Sequence, residues 1–193
     1  MERQERPMSA PARRRDAAQN RTRILEAARA ALAESDHVHL HEIAKRAGVG
    51  QGTLYRNFPN REALLAEVYR RDVEELVAAA FALLAEHAPG KALRHWLDLV
   101  IDYAEIKRGV LAALEAAAWQ DLVAHSHNPI EGALAHLLDA GKAAGSIRAD
   151  VDAHGVLLLI AYLGRLDREE WGSRARPLMN VILDGLARQD ADR

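Results

Sequence analysis

The chain has 193 residues, 49% of them apolar, with no cysteine and a formal net charge of −2. That is enough apolar material to core one or two domains, and it excludes disulfides, cysteine-ligated metal and thiol chemistry. Aromatic residues make up only 5%, so the core must come from Leu, Ala, Val and Ile, a composition that favours helices over sheets. The charge is unevenly placed: residues 1–70 hold 13 Lys and Arg against 9 Asp and Glu, and residues 71–193 hold 13 against 19. A basic head on an acidic body is the distribution of a polyanion-binding segment joined to a separate body.

Residues 1–16 are polar, Arg-rich and interrupted by Pro7 and Pro11, which predicts a disordered arm. The opening MERQERPMSAPARRR has no apolar leader, and no apolar run, that at residues 156–161 included, is long enough to span a bilayer. A soluble, cytoplasmic protein is expected. Ile24, Leu25, Ala28, Ala31 and Leu32 recur at helical spacing and predict a helix over 17–34. After the polar SDHVHLH, a short helix in LHEIAKRAG turns Leu40, Ile43, Ala44 and Ala47 inward, with Gly48 at its C-terminal cap. VGQGTLYRNF predicts a second short helix, ended by Pro59, and Asn60 caps a long one over 60–86. Beyond Pro89 and Gly90, helices are predicted at 91–106, 108–124, 129–144, 150–166 and 174–188. Their separators are residues 107–109, HSHNP at 125–129, AGSIR at 144–148 and EEWGS at 169–173. The expectation is an all-α fold of about nine helices. It comprises an arm (1–16), a head (17–60) and a body (61–193).

The two short helices around Gly48, Val49 and Gly50 have the form of a helix-turn-helix unit. Gly48 adopts positive φ without strain, and Val49 plugs the angle between the helices. Leu54 and Phe58, four apart, give the second helix one buried face. Gln51, Thr53, Arg56 and Asn57 are left for outward faces, with Tyr55 at the edge. Such a helix enters the major groove, where Gln and Asn pair with adenine, Arg with guanine, and Thr touches the thymine methyl. Gly52 permits close approach to the backbone, and the Tyr55 hydroxyl reaches a phosphate.

The run EIAKRAGVGQGTLYRNFPNREALLAEVY, residues 42–69, preceded by RTRILEAA at 21–28, resembles the TetR family of bacterial one-component regulators. The resemblance covers about fifty residues; the remainder is similar in size and helix count only. It implies that Gln51, Thr53, Tyr55 and Asn57 lie in or beside the groove and that Lys45 and Arg46 approach the DNA backbone. Arg61 would hold a phosphate at a helix N-terminus, and Arg21 and Thr22 would touch phosphate from the first helix. Two departures stand out. Leu32, then Ser35 and Asp36, occupy places where members usually have an aromatic and then a glycine. The second helix is capped at Val38 or His39 rather than by Ser or Thr.

HVHLH sets His37, His39 and His41 at alternate positions, and HSH does the same with His125 and His127. Imidazole is a common zinc ligand, but no cysteine or well-spaced carboxylate set joins these residues. No metal site and no cofactor are expected, and His39 is read as a phosphate contact. Trp96, Tyr103 and Trp119 are read as lining an effector cavity or as core packing; the resemblance implies such a cavity between the body helices. Trp171 falls in a predicted loop, as a packing lid or interface residue. The last two helices, VLLLIAYLG and PLMNVILDGLA, have wide apolar faces. The resemblance implies a four-helix dimer interface there, including Leu157, Ala161, Gly164, Leu178, Ile182 and Gly185.

No nucleophile motif, phosphate-binding loop followed by Lys, or HExxH is present, so an enzyme is not expected. The function implied is a ligand-responsive homodimeric regulator, most naturally a repressor, on palindromic double-stranded DNA. The alternative is a helical small-molecule-binding protein that does not bind DNA.

Overall fold

The computed structural model describes residues 10–34, 39–114 and 116–188. Eight helices are present among them: α1 (Ala10–Glu34), α2 (Leu40–Arg46), α3 (Gln51–Asn57), α4 (Arg61–Glu86), α5 (Pro89–Ala113), α6 (Ala116–Ala143), α7 (Ala153–Leu163) and α8 (Arg168–Leu186). The all-α expectation holds. The described residues form no strand, only a lone antiparallel bridge between Ile147 and Ala187. No described helix is long and apolar enough to cross a membrane.

Three predicted breaks are corrected. Residues 107–109 continue α5, because Lys and Arg are good helix formers and one glycine costs only about 1 kcal/mol. HSHNP continues α6 with Pro129 inside the helix. That proline removes the amide that would bond residue 125, but Ile130, Ala133, Leu134 and Leu137 are buried in the next turns and hold the helix to its neighbours. EEWGS is the first turn of α8, where the Asp167 carboxylate accepts from the Glu170 amide at 2.8 Å. Trp171 is therefore buried on a helix rather than placed in a loop. The real break between α5 and α6 falls at Leu114, inside a run of strong helix formers that marks no boundary. The predicted arm is corrected in part: residues 10–16 belong to α1, and residues 1–9 lie outside the described residues.

The core is one continuous apolar cluster. Helices α4, α5 and α6 pack mutually at its centre, with α1 laid against α4 and α5, and α2 and α3 against α1. Helix α7 covers α6, and α8 covers α5 and α7. Trp96 is fully buried and donates its Nε1–H to the Leu76 carbonyl at 2.8 Å, locking α5 to α4. The turn after α6 is tight: a side chain at Gly141 would collide with Ile147. That close approach holds residues 146–148 beside the end of α8, where Arg148 N bonds Leu186 O and Arg188 N bonds Ser146 O, both at 3.1 Å.

Candidate nucleic-acid interface and the groove behind it

The head is set by its turn. The amide of Ala47 closes α2 onto Ile43 O at 2.8 Å, and Gly48 takes φ +63°, the one conformation here that requires glycine. Val49 N returns to Ala44 O at 3.0 Å, which aims the chain into α3. Leu54 and Phe58 are buried as their spacing requires, and Val49 packs against the same core. His39 is the N-cap of α2 and makes no side-chain cap bond.

The outward surface of α3 is Gln51, Gly52, Tyr55 and Arg56, with Thr53 and Asn57 half-buried. Arg56 folds along its own helix, donating to Gly52 O and Thr53 Oγ1 at 3.1 Å each. Asn57 Nδ2 donates to Thr53 O at 2.8 Å. Gln51 and Tyr55 therefore project most openly, and an added side-chain carbon at Gly52 would meet nothing within 4 Å. Thr22 bonds its own helix at Ala18 O, Lys45 is exposed, and Arg46 pairs with Glu34 at 2.7 Å.

Arg21 is engaged within the protein. Its guanidinium pairs with Glu67 on α4 at 2.7 Å, reaches Asn57 O at 3.4 Å and lies 4.5 Å from the Phe58 ring centroid. It buckles α1, α3 and α4 together, with its side chain still 41% exposed. Hydrogen bonding from Arg70, then from Arg21, holds the Glu67 carboxyl below its ordinary pKa against the opposing effect of burial. A second tie, Arg29 Nε to Asp72 Oδ1 at 2.7 Å, joins α1 to α4 farther along.

Where α2, α3 and the start of α4 converge, the surface forms a concavity of 360 Å³ lined by His39, Leu40, His41, Gln51, Leu54, Tyr55 and Arg61. Asn60 caps α4 by accepting from Ala63 N at 2.8 Å. Arg61, the first residue of α4, holds its Nε buried without a hydrogen-bond partner among the described residues. A guanidinium at a helix N-terminus, with the helix dipole behind it, is suited to an anion.

In the body, a groove of 410 Å³ opens between α4, α5, α6 and α7. Leu76, Val100, Ile130, Leu157 and Ile160 make its apolar wall, and Lys107, Arg108 and Arg165 supply positive charge. Tyr103 lines it and donates to the Tyr69 hydroxyl at 2.8 Å, which lies 2.7 Å from Ser126 Oγ. Burial pushes the Tyr103 hydroxyl above its ordinary pKa and the Lys107 ammonium below its own. Of the expected ligand residues only Tyr103 is on the groove: Trp96 is sealed in the core, and the Trp119 side chain lies outside the described residues. The sequence reading missed Lys107 and Arg108, which sat in a predicted break.

The outer faces of α7 and α8 expose Leu158, Leu159, Tyr162 (68%), Leu178 and Val181 (67%). Among the expected pairing residues, Leu178 and Gly185 are exposed and Ile182 is half-buried, whereas Leu157, Ala161 and Gly164 line the groove. Leu158, Leu159, Tyr162 and Val181 were missed. For the three on α7 the signal was its unbroken apolar run, which leaves no polar side for solvent, and Val181 lies in the apolar stretch near the end of α8.

A helix-turn-helix head ahead of a larger helical body is an architecture used by DNA-binding transcription regulators. Comparison with known proteins gives the family. Residues 24–68 match the profile of bacterial regulatory proteins of the tetR family, and residues 88–188 match the TetR C-terminal domain described as SbtR-like. A TetR transcriptional regulator from Streptomyces coelicolor is 40% identical, superposes with a TM-score of 0.77, and is matched over 89% of this chain and 99% of its own. A TetR regulatory protein from Mycobacterium vanbaalenii is 36% identical with a TM-score of 0.72, over 91% and 99%. An HTH-type transcriptional regulator of Staphylococcus aureus is 29% identical over 106 residues, 53% of this chain; the chain thus spans little more than half, 57%, of the curated relatives it matches. The chain belongs to the TetR family.

Proposed function

We propose that the chain is a homodimeric, ligand-responsive repressor that binds a palindromic operator in the cytoplasm. The observation that carries this reading is the concavity holding Arg61, set beside the outward side chains of Gln51 and Tyr55. A phosphate seated on Arg61 would place α3 against base edges. Gln51, Thr53, Tyr55, Arg56 and Asn57 then read the groove over Gly52, and Thr22, His39, Lys45 and Arg46 flank the backbone. Arg21 serves by fixing α3 on α1.

Pairing rests on the exposed apolar face of α7 and α8, which a second copy covers as a four-helix interface. Two heads related by a two-fold axis call for half-sites about one helical turn apart or more. Ligand response rests on the groove. Its wall includes Leu76 of α4, the helix that starts at Arg61 and packs against α5 and α6. An amphipathic organic molecule bound there favours one position of α4. The Arg21–Glu67 and Arg29–Asp72 ties carry that shift into α1, changing the separation of the heads.

Selection of a random duplex library on the full chain at about 0.15 M salt tests the reading. An enriched inverted repeat is expected. Enrichment of single, unrepeated sites would sink the symmetric dimer.

A further inference from the structure

At the junction of α6 and α7, three side chains converge that the regulator reading does not use. We propose that His127, Glu131 and His154 form a binding site for a divalent transition-metal cation of the zinc class. His127 and Glu131 are four apart and share one face of α6. His154 is the second residue of α7 and is carried to that face by the turn between the helices.

His127 Nε2 lies 3.1 Å from Glu131 Oε2, and His154 Nδ1 lies 3.6 Å from the same oxygen. All the candidate ligand atoms lie within 4.8 Å of one another. Zinc bonds of about 2.0–2.2 Å in a tetrahedron put neighbouring ligand atoms about 3.3–3.6 Å apart. The distances of 3.1 and 3.6 Å lie close to that spacing. The two imidazoles need only close on each other, and rotation of the exposed rings, 6.2 Å apart, permits it.

The donor set also selects the ion. Calcium and magnesium take oxygen ligands; two imidazole nitrogens and one carboxylate oxygen suit zinc, nickel, cobalt or copper. The exposed rim leaves a fourth position for water. An ordinary helix-surface pair would use one histidine per carboxylate, whereas here residues from two helices meet on one oxygen. Of the alternating histidines only His127 takes part: His39 and His41 stack on each other in the head, 5.6 Å apart. A metal at His127, Glu131 and His154 would tie α7 to α6 at one end of the groove, which His127 also lines.

The test uses the full chain freed of any purification tag and stripped with EDTA. Calorimetric titration with zinc chloride is expected to show one ion per chain. His154→Ala and Glu131→Gln each weaken uptake by at least about tenfold, and the double variant His39→Ala/His41→Ala leaves it unchanged. Cobalt in place of zinc gives visible absorption bands that His154→Ala abolishes, with far-UV dichroism showing the variant folded. Either no saturable uptake of zinc, or uptake undiminished in His154→Ala and Glu131→Gln, overturns the proposal.

Discussion

Helices α3 and α7 both face solvent, but they offer it opposite chemistry. Helix α3 buries Leu54 and turns Gln51, Tyr55 and Arg56 outward; α7 buries Ala153, Val156, Ile160 and Leu163 and still leaves Leu158, Leu159 and Tyr162 outside. Polar groups in water are already satisfied, so α3 is complete as it stands. Each large aliphatic side chain on α7 stands to gain about 1.5–3 kcal/mol on full burial. In the proposed function one surface meets a polar partner that comes and goes, and the other takes permanent cover.

The largest expected effect breaks that contrast at α7. The double variant Tyr162→Asp/Val181→Asp places unpaired carboxylates in the proposed pairing face, where an uncompensated buried charge costs about 3–5 kcal/mol. Both positions are exposed in the single chain, so its fold should survive with unchanged helix content. Sedimentation velocity should find a monomer for the variant and the proposed dimer for the unaltered protein. A persistent dimer would mean that another surface pairs.

A smaller effect tests α3. Gln51→Ala should lose about 1–3 kcal/mol of discrimination at one position of the operator half-site, while folding stability stays within about 0.5 kcal/mol. Arg61→Ala should weaken binding to all sequences alike and lower the slope of log affinity against log salt by about 1. Fluorescence anisotropy on the selected duplex and its single-base variants separates the two. If Gln51→Ala weakened every duplex equally, Gln51 would position the helix and not read it.

The same contrast explains what the sequence disclosed. The head was legible because its geometry is local: Gly48 marks the positive φ, Leu54 and Phe58 mark the buried face, and Asn60 marks the next cap. The body depends on contacts far apart in the chain. Pro129 sits inside a helix that tertiary packing holds together, and the break at Leu114 falls among helix formers. Whether Trp96 or Tyr103 met the groove depended on where α4 and α7 lie, which spacing along α5 does not encode. Even in the head, the engagement of Arg21 with Glu67 spans 46 residues and left no local mark.

The cap that begins α4 gives a milder prediction. Asn60→Ala leaves Ala63 N without its 2.8 Å acceptor and should cost about 1 kcal/mol in urea unfolding. Because Arg61 follows directly, DNA affinity should fall in the same variant. A loss of stability with DNA affinity intact would show that the first turn of α4 frays without moving Arg61.

The smallest effect concerns how the head is tied to the body. The two ties between α1 and α4 are unlike. Glu67 is held below its ordinary pKa by its arginines, whereas Asp72 stands above the usual 3.8, because burial outweighs the attraction of half-exposed Arg29. Asp72 Oδ2 is also buried without a hydrogen-bond partner among the described residues. A carboxyl whose folded pKa is raised binds its proton more tightly when folded. Its contribution to stability is therefore full below the ordinary value, falls as pH rises through the folded value, and stays lower above it. Asp72→Asn cannot ionise and should lack that fall. The unfolding free energy of the variant relative to the unaltered chain should drift in favour of Asn as pH rises above the ordinary carboxylate value, by less than the cap effect. Drift the other way would mean that Arg29 prevails over burial, and that the second tie fastens the head by charge as the first does.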